Sequence, residues 1–337
     1  MFVGLKLPAF LDKFNGRGFV YLDSSQANWI LSPLPISSPS SAIGATVKDL
    51  YSKDKETLKI AYNDDWPDTH KANGGRGHSK GVAVANLEGG FWLIHSVPNF
   101  PPITWKKVLT AKYDYPESGT KFAQSLFCIS FDVDALPAIS QYMRYAQVTP
   151  FIANLPQSIK LLAPYFDDVI HRRSLSRGET VFTFSKTIKT RQGVDVTIFS
   201  KHKKFGEDLW HDFIAPSLKT SLAVETWRNG AAQDIGSQCG DGANVYDVTQ
   251  VQLPSGSFSS SKDHSKWGVS MNESMPYSCI GDINRQASQF KRGGGAACIQ
   301  SKTLWKTLHN SVLSFEACKI NKKKTEGALK KNVLNQS

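Results

Sequence analysis

His-Ser-Lys occurs twice in this chain of 337 residues, as His78-Ser79-Lys80 and as His264-Ser265-Lys266, separated by rather more than half the chain. Each copy is preceded by a polar loop: 63–77, ending Gly74-Gly75-Arg76-Gly77, and the Gly/Ser-rich 254–261 followed by Lys262-Asp263. The sequence downstream also repeats. His95-Ser96 follows His78 at the same offset at which Gly281-Asp282 follows His264, and Asn99 and Asn284 come next at offsets that differ by a single position. A tract recurring at about half the chain length is what a duplicated half leaves behind, and two such halves can build one site at a pseudo-twofold interface. Any fold for this chain therefore has to bring two similar units face to face.

Apolar runs at 81–85, 91–94, 126–131, 181–184, 194–199 and 222–226 read as strands, and helical spacing is clearest at 139–145, 205–215 and 302–315. Strands and helices mix without a regular βαβ period, which points to an α/β sandwich rather than a barrel. The expected division is a first half over 1–150, a second over 151–318 and a basic tail over 319–337 that carries Lys322-Lys323-Lys324. With no run of eighteen apolar residues, membrane insertion is not expected.

In an extended strand, residues i and i+2 share a face, so His-x-Lys presents an imidazole beside an ammonium group. Two such pairs around one pocket supply a nucleophile, a proton donor and cations for the nonbridging oxygens of a phosphodiester, with no metal required. A single His-Ser-Lys carries little weight, because it arises readily by chance; the matched pair carries much more. Competing motifs are weaker. Gly293-Gly294-Gly295 lacks the Lys-Ser/Thr of a phosphate-binding loop and reads as a turn. Asp132-Val133-Asp134 and Asp68-Thr69-His70 have no further ligands at calcium or zinc spacing, and His202 and His211 read as surface or core histidines. No metal site and no cofactor are expected.

Lys and Arg outnumber Asp and Glu by 40 to 29, a net charge of +11 that rises toward about +19 as the eight His take up protons near pH ~6.5. That balance favours a polyanionic partner, although a solvated basic face would look the same. The five cysteines, Cys128, Cys239, Cys279, Cys298 and Cys318, include no C-x-x-C pair. Four fall in the C-terminal third, as in a disulfide-stapled region of an oxidising compartment, and buried free thiols are the plainer alternative. Asn272-Glu273-Ser274 and Asn335-Gln336-Ser337 are candidate glycosylation sequons at Asn272 and Asn335.

The segment Arg76-Gly77-His78-Ser79-Lys80-Gly81-Val82, with Glu88-Gly89-Gly90-Phe91-Trp92-Leu93-Ile94-His95-Ser96-Val97-Pro98-Asn99-Phe100-Pro101-Pro102, resembles the first motif of the deoxyribonuclease II family, itself similar to the phospholipase D superfamily. Asp263-His264-Ser265-Lys266-Trp267 resembles the second motif. Cys279-Ile280-Gly281-Asp282-Ile283-Asn284-Arg285 and Arg292-Gly293-Gly294-Gly295 resemble the C-terminal block. The likeness spans nearly the whole chain short of the tail.

That resemblance implies a phospholipase D-like α-β-α sandwich of two pseudo-twofold-related halves, each with a central mixed sheet flanked by helices. It implies an acid endonuclease that cleaves double-stranded DNA without sequence preference or metal, leaving 3′-phosphate and 5′-hydroxyl ends. Carried over, His78 is the nucleophile and His264 the general acid, Lys80 and Lys266 bind phosphate, His95 assists, and Ser96, Asn99 and Asn284 position the substrate. The family pattern also implies disulfides Cys239–Cys318 and Cys279–Cys298, a lysosomal or secreted location, and a monomer or homodimer.

Four departures stand out. The opening Met1-Phe2-Val3-Gly4-Leu5-Lys6 reads as a strand instead of a signal peptide, so the expectation is a sequence that begins late and leaves Cys128 without an upstream partner. Gly268 stands where family members tend to have Cys, and Ala85 and Met271 stand where the superfamily has Asp, which lowers a lipid phosphodiester as substrate. The principal alternative is a secreted DNA-binding paralogue impaired in catalysis.

Overall fold

Residues 1–67, 72–102, 113–229, 232–240 and 242–318 are described by the computed structural model. The tail 319–337, with Asn335, and Asp68-Thr69-His70 lie outside the described residues. The first sheet contains β1 (Phe2–Lys6), β2 (Phe19–Asp23), β3 (Ile30–Leu31), β4 (Leu58–Tyr62), β5 (Gly81–Asn86), β6 (Gly89–His95), β7 (Gln124–Phe131) and β8 (Pro150–Asn154), in the order β3-β2-β1-β7-β6-β5-β4-β8. The second contains β9 (Thr183–Lys189), β10 (Asp195–Lys201), β11 (Leu222–Glu225), β12 (Val245–Leu253), β13 (Gly256–Ser259), β14 (Trp267–Ser270), β15 (Tyr277–Gly281), β16 (Gly294–Gln300) and β17 (Val312–Phe315). Its order is β13-β12-β11-β14-β15-β16-β10-β9, with β17 on β12.

Matching registers relate the two sheets. Gly81 of β5 faces Ile94 of β6, and Trp267 of β14 faces Ile280 of β15. The two members of each pair stand at identical offsets from the His of their own triplet. Both strand pairs are flanked in the same way, by β4 and β7 in the first sheet and by β11 and β16 in the second. The expectation of a mixed sheet in each half needs correcting. Every described pairing of the first sheet is antiparallel, because its strands join through hairpins and long returns, and the second has one parallel pair, β11 with β12.

One apolar core lies between the sheets. It joins Val3, Leu5, Ile60, Trp92, Ile94 and Phe127 of the first to Val196, Ile198, Trp267, Val269 and Ile280 of the second, with helices Leu136–Tyr145 and Lys302–His309 inserted. Two smaller clusters cover the outer faces: Ile43 and Val47 of the helix Ala42–Val47 on the first sheet, and Trp210 and Ile214 on the second. Central strands such as β5, buried from Gly81 to Ala85, are therefore continuous apolar runs rather than alternating ones. Truncating either Trp92 or Trp267, both fully buried, would cost about 3–5 kcal/mol.

Past the boundary expected at 150, β8 still pairs with β4 of the first sheet, and the helix Tyr165–Ile170 packs on Leu136–Tyr145. Two expected helices also differ from the pattern. Gly206 adopts φ +77° and breaks 205–215 into a 3-10 turn, Lys203–Phe205, and a π turn, Trp210–Ile214, which runs into Ala215–Leu218. In 302–315 the helix stops at His309, and the β-favouring Val312–Phe315 joins β12. The strand expected at 181–184 starts at Thr183.

Candidate active site

Neither His-x-Lys lies within a strand. Each is the extended lead-in to one, ahead of Gly81 and of Trp267. The lead-ins are held by the opposite half. The His78 amide donates to Gly293 O (2.9 Å), and the His264 amide donates to Ala123 O (2.9 Å). The imidazoles follow the same rule: His78 Nδ1 meets Asp282 O at 2.6 Å, and His264 Nδ1 meets Ser96 O at 3.2 Å. Ser96 stands at the same offset from His78 as Asp282 does from His264, so each ring hangs from the matching carbonyl of the other half.

Tautomers follow from these partners. Facing a carbonyl, His78 Nδ1 carries the proton. His264 Nδ1 faces both Ser96 O and Gln124 Oε1 (3.3 Å), so it too is a donor, and the Lys266 ammonium 3.3 Å away acts on it as a charge rather than as a hydrogen-bond donor. In the neutral rings Nε2 keeps its lone pair in each case. Burial, reinforced by the lysines, holds both imidazoles well below the usual histidine range: Lys80 acts most on His78, and Lys266 then Lys80 on His264. Lys80 also lowers His264, and Lys266 lowers His78.

The cations are set differently in the two halves. Lys80 is buried and ion-paired to Asp64, which also accepts from Arg292 (3.0 Å). Burial pushes the Asp64 carboxyl up, but Lys80, His78 and Arg292 together hold it well below the usual carboxylate range. Lys266 donates to His264 O (2.6 Å) and has no carboxylate bonded to it among the described residues; burial and Lys80 bring it down to about 7. Burial also pushes the Asp282 carboxyl up to about 7, against the Gly295 amide that donates to it (2.8 Å).

His95 is fully buried, edge-on to Phe100, with Nδ1 accepting from the Val97 amide (3.2 Å) and Nε2 unpartnered among the described residues. Burial and Lys80 keep it neutral. Ser96 joins the site through its carbonyl, while its hydroxyl donates to Gln124 (2.6 Å). Asn99, at φ +56°, donates to Trp66 O (3.0 Å) and so ties down a loop instead of an imidazole. Asn284 is buried with Oδ1 unpartnered among the described residues.

Sequence reasoning missed Asp64, Gln124 and Arg292, which only strand register brings to the triplets. It also read 293–295 as a plain turn. These glycines abut the His78 lead-in: a Cβ on Gly77 or Gly293 would sit 2.1 or 2.4 Å from Ala146 O, so the backbone fits only without side chains there. His202 is buried in a basic neighbourhood and His211 is bonded to Asp212 (2.6 Å). Cys239 is bonded to Cys318 and Cys279 to Cys298, while Cys128 is a buried free thiol pushed up to about 12 by burial. Asn272 is exposed on a turn.

Paired imidazoles and ammonium groups on a two-sheet α/β scaffold form a site suited to phosphodiester hydrolysis. The family model Deoxyribonuclease II matches residues 1–318. Cell-death-related nuclease 7 of Caenorhabditis elegans is 43% identical over 320 residues, covering 94% of this chain and 85% of that protein. Plancitoxin-1 of Acanthaster planci is 33% identical over 307 residues, 90% of this chain and 84% of its own. Deoxyribonuclease-2-alpha of Sus scrofa is 33% identical over 328 residues, 94% of this chain and 87% of its own. The chain belongs to the deoxyribonuclease II family and is a nuclease that hydrolyses DNA.

Proposed function

We propose that the enzyme is an acid endodeoxyribonuclease acting on double-stranded DNA without metal, through a phosphohistidine, leaving 3′-phosphate and 5′-hydroxyl ends. The observation that carries this is the reciprocal anchoring of His78 and His264 through Nδ1, which leaves two Nε2 atoms for the chemistry. His78 Nε2 attacks phosphorus, and the P–O5′ bond breaks as His264 gives its Nε2 proton to the leaving oxygen. His264, now neutral, takes a proton from water, whose oxygen attacks the phosphorus and returns His78 with the 3′-phosphate released. Lys80, Lys266 and the neutral His95 N–H face the nonbridging oxygens, with Ser96, Asn99 and Asn284 shaping the pocket around them.

Acid conditions suit this division of labour. His264 has to carry a proton, and its lowered pKa means that it does so only below the usual histidine range. Lys266, brought down to about 7, is charged in acid and loses its proton above that point. His78 has to remain neutral, which its own lowered pKa permits.

A phospholipase D-like arrangement of two related halves is proposed on the matching strand registers. Two disulfides support a lysosomal or secreted location. No described helix is long and apolar enough to cross a membrane. Because one chain carries both triplets, a monomer suffices for the chemistry. The test is trapping with 32P-labelled DNA by a detergent quench at alkaline pH, where a phosphohistidine survives. Label retained on wild-type enzyme and on His264→Ala, and lost from His78→Ala, is expected. Label retained by His78→Ala refutes the assignment.

A further inference from the structure

The two halves differ at one matched pair of positions. Tyr62 faces Gly81 and Glu225 faces Trp267, so the residues two further on, Asp64 and Trp227, occupy corresponding places. Gly293 O and Ala123 O accept the two His amides, so the residues just before them, Arg292 and Phe122, also correspond. Beside His78 this pair is an ion pair, Asp64 with Arg292 at 3.0 Å. Beside His264 it is an aromatic pair, Phe122 and Trp227, with ring centroids 4.6 Å apart.

The aromatic pair is half-buried rather than part of the core. Trp227 lies against the His264 ring, 5.0 Å between centroids, and the Lys121 ammonium sits over the Phe122 ring, 5.1 Å from its centroid. Its backbone is held on both sides. Arg228 donates to Val248 O (3.2 Å) and Ser260 Oγ (3.1 Å), Asn229 to Ser261 O, and the Ala123 amide to Lys262 O (3.0 Å). A rigid, partly open aromatic face with a cation beside it is the combination that takes a nucleobase and its phosphate.

We propose that Trp227 and Phe122 form a base-stacking subsite for the leaving nucleoside, the one 3′ of the scissile phosphate. This rests on His78 as nucleophile and His264 as acid. With that assignment the 5′-oxygen departs on the His264 side, and the base attached to that nucleoside is carried to the aromatic face. At the matched positions beside His78 stands the Asp64–Arg292 ion pair instead.

The test uses a tetranucleotide in which methylphosphonates leave one cleavable phosphodiester, with either thymine or an abasic tetrahydrofuran residue on its 3′ side. Wild-type kcat/KM is expected to favour the thymine substrate by about 5- to 150-fold, the range set by stacking one base on an aromatic ring. Trp227→Ala is expected to abolish that preference and Trp227→Phe to keep most of it. Phe122→Ala, at the edge of the pair, is expected to reduce it. An equal loss on both substrates in Trp227→Ala means that the indole only supports His264, and no loss on either means that there is no subsite; both outcomes overturn the proposal. His264→Ala that cleaves like wild type would instead remove the catalytic assignment beneath it.

Discussion

Replacing Asp64 with Asn tests the electrostatic frame of the site. The carboxylate is buried between the Lys80 ammonium and the Arg292 guanidinium, both themselves largely buried. Asn keeps the volume but leaves two cations facing each other without a counter-charge. Breaking a buried pair by removing one partner costs about 3–5 kcal/mol, because the remaining charge is stranded in a poor solvent. The depressed pKa fixes the pH behaviour. A carboxyl lowered by folding contributes its full stabilisation above its unfolded value near ~3.9 and loses it only as pH falls through the folded value. Asp64 is therefore ionised at pH 7 and still ionised at about pH 5, and the penalty should be similar at both. Urea unfolding followed by tryptophan fluorescence at the two pH values measures it. A double-mutant cycle with Lys80→Met isolates the pairwise part, which should be well above about 1 kcal/mol. A penalty below about 1 kcal/mol, or one present at pH 7 and absent at pH 5, refutes the reasoning.

Further perturbations probe other parts of the molecule. Lys266→Met removes the charge that most depresses His264 after burial, so the alkaline limb of kcat against pH should move upward while kcat falls about 10²–10³-fold; an unchanged limb contradicts the coupling. Cys279→Ala with Cys298→Ala opens a bridge of sequence separation 19 and should cost about 3 kcal/mol by denaturation, in oxidised protein only. Gly268→Ala drives a Cβ to 2.9 Å from the Trp210 indole, buried in the outer cluster, and should destabilise by about 1–3 kcal/mol; a neutral result means that the indole can shift.

The triplets, their downstream spacing and most central strands were legible because each is a local pattern: an apolar run, a loop and a fixed offset. Register was not. Asp64 reaches Lys80 because β4 and β5 pair antiparallel with Tyr62 opposite Gly81, and nothing in residues 58–66 alone says so. Gln124 and Arg292 arrive from β7 and from the turn before β16 for the same reason. Asn99 matched Asn284 in spacing, yet it is consumed by the Trp66 loop, since similar offsets do not ensure similar partners. The helix expected through 302–315 failed where a turn at Asn310 let Val312 and Phe315 exchange helical periodicity for pairing with β12. Nor does anything local in residues 150–154 say that β8, at the very edge of the expected first half, returns to the first sheet to pair with β4.

The central claim is that two histidines from opposite halves, with two lysines, hydrolyse the phosphodiester by themselves. Supercoiled plasmid incubated at about pH 5 in excess EDTA tests it most directly, with the product ends read by labelling. Expected are undiminished nicking, 5′ ends that accept phosphate from a polynucleotide kinase without prior phosphatase treatment, and loss of nicking in both His78→Ala and His264→Ala. Nicking abolished by EDTA and restored by a divalent cation, or retained in both variants, would contradict it.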